Sequence, residues 1–230
     1  FRPVCPEMAI GLPTPRPAIR LTLTDSGETQ LRFSKPPHDD ITQKMADFTA
    51  DYLPKIGDLS GFIVCAKSPS CGMERVRLYD ENGNRGRKEG VGLFTAALLE
   101  TYPWLPVEED GRLHDPVLRE NFIERVFALH ELNTLRAKGL TRRALLDFHS
   151  RYKLQLLAHH QAGYREIGPF VASLHEWEDL DAFFVAYREK LMTILKKPAS
   201  RKNHTNVLMH IQGYFRNQLN SRQRGELRDV

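Results

Sequence analysis

Two short segments hold the residue types most able to do chemistry. One is Val4-Cys5-Pro6-Glu7 and the other is Ser68-Pro69-Ser70-Cys71-Gly72. Each sets a thiol beside Pro or Gly, on a tight turn where sulfur can stand clear of the backbone. Thiols so placed point to metal or redox chemistry. Cys65 instead ends the apolar run Phe62-Ile63-Val64 and reads as a small buried hydrophobe. A spacing of 66 residues between Cys5 and Cys71 is no zinc-finger pattern, so tertiary structure would have to unite them. By chemistry alone, a shared metal or cluster site and merely structural thiols both stay open. Glu7, two residues after Cys5, is the first candidate for a general acid or base, against a plain surface or capping acid. Ser68 and Ser70 flank Cys71; they serve either the chemistry or the turn around Pro69. Lys67 offers positive charge, and Arg16 lies in the Pro-rich segment with less claim to a role.

The elements that must position these residues change character along the chain. Five Pro among residues 1–20 exclude a helix over most of that stretch, and a strand is expected to end near Cys5. Ile19 to Leu23 alternates as a strand, Leu31 to Phe33 returns, and Ile41, Met45, Phe48 and Tyr52 take helical steps closed by Pro54. Leu59 to Cys65 reads as a buried strand whose C-terminal end carries the Ser68–Gly72 turn, the sheet edge where α/β proteins bind ligands. Val76 to Tyr79 reads as a strand, 81–86 as a polar loop, and Gly90-Val91-Gly92 opens a helix from Leu93 to Thr101; that Gly pair is either an anion cradle or a tight turn. Trp104 to Val107 ends this half as an edge strand. After Gly111 only helical spacing remains: 117–137, a helix started by Thr141, 180–195, and 203–219 with Val207, Leu208, Ile211, Tyr214, Phe215 and Leu219 on one side, where Tyr214 and Phe215 read as core in preference to base-stacking platforms. The expected fold is an α/β domain over 1–110, with a small, mostly parallel, Rossmann-like sheet, followed by an all-α domain over 115–230.

The 230 residues carry 33 Lys and Arg against 29 Asp and Glu. The two first hundreds balance, 13 against 13 and 14 against 14, so the whole excess falls in residues 201–230, with 6 against 2. Eight of nine His lie at or after His114. A basic, His-bearing end suits a polyanion such as RNA, or is an ordinary solvated surface. Arg142, Arg143, His149 and Lys153 lie on adjacent faces of one predicted helix; Arg201, Lys202, Asn203, His204 and His210 gather at the start of another. Cations would meet phosphates, while Asn and His would hydrogen-bond. No window approaches the ~18 apolar residues of a membrane span. No leader is evident, and three cysteines without disulfide spacing point to a reducing, cytoplasmic location. Phe1 reads like the interior of a domain, which predicts further sequence upstream.

Arg2 to Leu21, with Lys67 to Gly72 and the helix opening Gly90 to Glu100, resembles the thiouracil desulfidase (TudS-type) family over about residues 1–107. Leu140 to His160 and Arg201 to Leu219 resemble the YbgA-type helical domain. The resemblance implies a 4Fe-4S cluster with three Cys ligands. Two match Cys5 and Cys71; the third is expected in a short N-terminal segment similar to SACLLG that precedes Phe1. Cys65 stands where the family commonly has Lys and is not promoted to ligand. Three thiolates leave one iron without a protein ligand, free to accept a thiocarbonyl sulfur. The fusion implies non-redox desulfidation of 4-thiouridine in tRNA, with the helical domain binding the RNA. Its rivals are a desulfidase of free thiouracil with the helical domain as scaffold, and a non-catalytic RNA-binding protein. The sequence assigns no oligomeric state.

Overall fold

The structure, a computed structural model, describes residues 1–215 and 217–226. Its contacts divide the chain into two compact units, Phe1–Phe122 and Ile123–Val230.

In the first unit Cys5 is the N-cap of a one-turn helix, α1 (Pro6–Ala9), with Pro6 at its first position. Pro fits there because that N–H has no partner in a helix anyway. The expected strand ending near Cys5 is absent: residues 1–5 are irregular, and Pro3 and Pro6 have no N–H to donate to a ladder. β1 (Ile19–Leu23) and β2 (Thr29–Phe33) form an antiparallel pair with Ile19 opposite Phe33. α2 (Thr42–Tyr52) ends in a short 3-10 turn containing Pro54. β3 (Phe62–Val64) precedes the Ser68–Gly72 turn. β4 (Val76–Tyr79) lies parallel to β1, and β5 (Arg85–Gly90) returns antiparallel to β4. α3 (Leu93–Thr101) follows, then β6 (Val107–Glu109), which pairs in parallel with β3. The unit is therefore α/β with mixed pairing: a four-stranded sheet in the order β2-β1-β4-β5, and a two-stranded sheet β3-β6.

β5 begins inside the expected polar loop 81–86 and runs on through residues 87–89, to which the sequence assigns no element. Its residues, Arg85-Gly86-Arg87-Lys88-Glu89-Gly90, lack the apolar alternation that marks a strand. It forms because Gly83 closes a hairpin with φ 83° and the ladder to β4 takes its backbone groups. Leu21, Leu31, Met45, Phe94 and Leu98 are fully buried. Phe48, Tyr52 and Phe62 each stand within 6.2 Å of the Phe94 ring, centroid to centroid. Such ring pairs add about 0.5–1.5 kcal/mol each beyond their burial.

α4 (Pro116–Ala137) begins in the first unit and ends in the second. The second unit is helical. α5 (Arg142–His159) is capped by the Thr141 hydroxyl, which accepts from the Ala144 N–H at 3.1 Å. α6 (Gln161–Ala172) was not legible in the sequence because Gly163, Gly168 and Pro169 all depress helix propensity. It is held by its surroundings: the His160 ring accepts from the Gly163 N–H, and Gly163 lies against Ile194, where a Cβ would come within 2.7 Å. α7 (Leu180–Leu195) starts at Asp179, whose carboxylate accepts from the Asp181 and Ala182 N–H groups. α8 (Arg201–Tyr214) starts at the Ser200 cap, and α9 (Ser221–Glu226) follows. Phe148, Phe183, Phe184 and Tyr187 form the aromatic heart of this unit. The expected helix 203–219 is corrected: it ends at Tyr214 and has no buried residue. No helix among the described residues is long and apolar enough to cross a membrane.

Candidate functional site

The two chemistry-bearing segments meet. Ser68 to Gly72 is shaped by close packing onto the start of α3. The Phe94 N–H bonds the Ser70 carbonyl at 3.0 Å, the Gly92 N–H bonds the Gly72 carbonyl at 2.8 Å, and the Thr95 hydroxyl donates to the Cys71 carbonyl at 2.7 Å. A Cβ on Gly92 would lie 2.4 Å from the Ser70 carbonyl carbon, so the Gly at this position serves close backbone approach. Lys67 enters the turn with φ 62° and points its charge at solvent as an exposed residue.

Glu7, on α1, reaches this turn. Its Oε1 accepts from the Ser70 hydroxyl in a short hydrogen bond and from the Ser68 hydroxyl at 3.4 Å. The Ser68 oxygen in turn accepts from the Ser70 and Cys71 N–H groups, at 3.3 and 3.2 Å. Ser70 is fully buried. Ser68 thus shapes the turn and also touches the Glu7 carboxylate.

Arg16 completes the cluster. One guanidinium nitrogen, Nη1, donates to the Cys5 sulfur at 3.2 Å and stands 3.0 Å from Glu7 Oε2. The sequence carried one signal for it: the fixed φ angles of Pro13, Pro15 and Pro17 limit where the segment around Arg16 can run.

The two thiols differ. Partial burial disfavours the Cys5 thiolate, but the Arg16 hydrogen bond, the Met8 backbone N–H and the Arg16 charge outweigh it, and the pKa falls below the ordinary thiol value. Burial pushes Cys71 up to about 12, against hydrogen bonds from Ser70 and Ser68. Cys65 is exposed, so its expected burial is corrected. Its thiol is raised by partial desolvation, then by the negative charges of Asp110, Cys5 and Glu7, and it in turn raises Cys71. All three cysteines therefore share one electrostatic neighbourhood. No three His, Cys, Asp or Glu side chains among the described residues are grouped to hold a metal ion. Cys5 and Cys71 are both free, half-buried thiols, the donor type that soft metals take.

In the helical unit the predicted RNA residues fall into two classes. Some are engaged. Arg142 donates to the Trp177 carbonyl at 2.5 Å and the Leu174 carbonyl at 3.4 Å. Arg143 stands 3.7 Å from Asp147, the half-buried His149 bonds the Tyr187 hydroxyl at 3.1 Å, and Asn203 Nδ2 donates to the Ala158 carbonyl at 2.8 Å. Arg201, Lys202, His204 and His210 are exposed, and Lys153 Nζ lies 5.9 Å from the centroid of the Tyr214 ring. Sequence reasoning placed Tyr214 and Phe215 in the core; both are exposed.

Two family models match separate stretches of the chain. Residues 1–110 match the family model of 2-thiouracil desulfurase, and residues 153–230 match a model described as Protein of unknown function (DUF1722). Uncharacterized protein YbgA of Escherichia coli (strain K12) is 55% identical over 103 residues, which are 45% of this chain and 61% of that protein. No solved structure matches the chain. Residues 1–110, which bring Cys5, Glu7, Arg16 and Cys71 together, thus match the 2-thiouracil desulfurase family model, and the DUF1722 match follows them.

Proposed function

We propose that the first unit is a desulfidase that converts 4-thiouridine in tRNA to uridine, and that the helical unit holds the RNA. The observation that carries this reading is the convergence of two thiols, a carboxylate, two hydroxyls and a guanidinium within residues that match the desulfurase family model. Cys5 and Cys71 would be two of three thiolates holding a 4Fe-4S cluster, the third coming from a segment preceding Phe1. When bound, such a cluster supplies a soft Lewis acid for sulfur.

The chain's own groups handle the protons. Water adds its oxygen to the ring carbon that bears sulfur, and the Glu7 carboxylate takes the proton that water loses. The carbon–sulfur bond breaks as a carbon–oxygen double bond forms, and the protons return to sulfur, which leaves as hydrogen sulfide. No electron is gained or lost overall. Arg16 orients the far oxygen of Glu7, and Ser68 and Ser70 hold its near oxygen toward the Cys71 turn. Partial burial of the cluster of side chains limits competing water.

The test uses the chain joined to an N-terminal segment that carries the family's third cysteine, purified without oxygen and reconstituted with iron and sulfide. Loss of 4-thiouridine from thiolated tRNA, with release of sulfide, supports the reading. Activity on free thiouracil alone confines the helical unit to a scaffold. A protein that binds tRNA but takes up no iron is an RNA-binding module with structural thiols.

A further inference from the structure

α8 is amphipathic by sequence, yet none of its residues is buried. Leu208 is 64% exposed, Met209 66% and Tyr214 66%, with Phe215 just beyond the helix at 48%. Leu208 and Phe215, seven residues apart, share one face, and exposed apolar side chains gathered on one face mark a surface for a partner. Charge and ring chemistry say which. α8 itself holds Arg201 and Lys202, both exposed, and no Asp or Glu. Covering such a surface with a neutral apolar partner would strip water from cations and give them no counter-charge. A polyanion with flat apolar faces satisfies both demands.

The layout along α8 fits one. Arg201, His204, Leu208 and Ile211 recur at steps of three and four and so form a single line down the helix, with Phe215 at its end. Arg201 and Lys202 lie at one end of this line, about 20 Å from the rings at the other. The α8 backbone is held in place by Asn203, through its bond to Ala158 on α5. At the ring end, α5 contributes Lys153, whose ammonium is 5.9 Å from the Tyr214 centroid. Exposed rings beside cations form the standard surface for single-stranded nucleic acid: phosphates meet the cations and bases stack on the rings.

We propose that Tyr214 and Phe215 form a stacking platform for an unpaired base of RNA, with Lys153, Arg201 and Lys202 contacting its phosphates. The proposal rests on the RNA-binding reading of the helical unit and narrows it to an unpaired stretch of the molecule.

The test measures binding of the full chain to a thiolated tRNA, to a short mixed-sequence single-stranded RNA, and to the same sequence annealed as a duplex, each across a salt series. Tyr214→Leu with Phe215→Leu keeps apolar cover and removes the rings. This pair should weaken single-strand and tRNA binding by roughly 5- to 100-fold, the loss expected for one stacked base, with the salt slope and duplex binding unchanged. Tyr214→Phe should bind as the parent does. Arg201→Glu with Lys202→Glu should lower the salt slope. If the leucine pair binds single strands as the parent does, the platform is wrong while the RNA reading stands. If the parent chain binds neither RNA, both fall. If the leucine pair loses self-association and no RNA binding, the face is an interface between copies and the platform is again overturned.

Discussion

Arg16 is the residue on which the candidate site turns. One nitrogen serves both the Cys5 sulfur and the Glu7 carboxylate, so it sets thiol ionisation and acid orientation together. Its removal should raise the Cys5 pKa toward the ordinary thiol value, because the donor and the charge that oppose burial both go. Alkylation of the iron-free chain, mapped by peptide mass across a pH series, checks this. In the parent, Cys5 should react at lower pH than Cys71, whose thiol burial holds at about 12. In Arg16→Ala the Cys5 profile should move to higher pH, and by more than that of Cys71, which feels the Arg16 charge without its hydrogen bond. At the same scale, Cys5→Ser or Cys71→Ser should abolish the visible absorption of the reconstituted cluster, whereas Cys65→Ser should leave it intact. The sequence displayed the thiols, Glu7 and the serines plainly, because Pro and Gly mark their turns. It ranked Arg16 low, because the prolines around it constrain the backbone and do not say where a side chain several bonds long will reach. It misplaced Cys65 as well: an apolar run before a residue does not fix which way that residue faces at a strand's end.

The elements were legible wherever apolar periodicity governed them. β1, α2, α4, α5 and α7 all follow their apolar spacing. β5 and α6 do not, since one is a polar strand held by its partner's ladder and the other a helix that keeps two Gly and a Pro. The helix that ends at Tyr214 shows the opposite failure: its apolar stripe is real, but a stripe predicts an interface and does not say whether the chain itself supplies the other side. The junction of α3 with the Ser68–Gly72 turn is the element on which site geometry depends most. Gly92→Ala would drive a methyl group into the Ser70–Cys71 backbone. Backbone cannot give way as a flexible side chain does, so a loss of about 1–3 kcal/mol is expected. Urea unfolding checks the loss, and the Cys71 alkylation profile checks whether the turn has moved.

Across the whole molecule, an α/β unit with a chemistry-bearing cluster is followed by a helical unit whose excess charge is positive. The second unit carries its own pH response. Burial, and then the nearby Lys153 charge, lower the His149 pKa below its ordinary value of 6.5. The unfolded chain then binds a proton that the folded chain resists, so stability is fullest above about pH 6.5 and declines as pH falls below it. His149→Gln should flatten the change in urea midpoint between neutral and mildly acidic buffer; an unchanged slope would assign that response to other groups.

The most direct measurement of the central claim is the nucleoside composition of tRNA after incubation with the iron-loaded chain extended by the third cysteine. The account predicts that 4-thiouridine disappears, that uridine and sulfide appear in equal amounts, and that Cys5→Ser and Glu7→Gln prevent it. Persistence of 4-thiouridine alongside a fully formed cluster would contradict it.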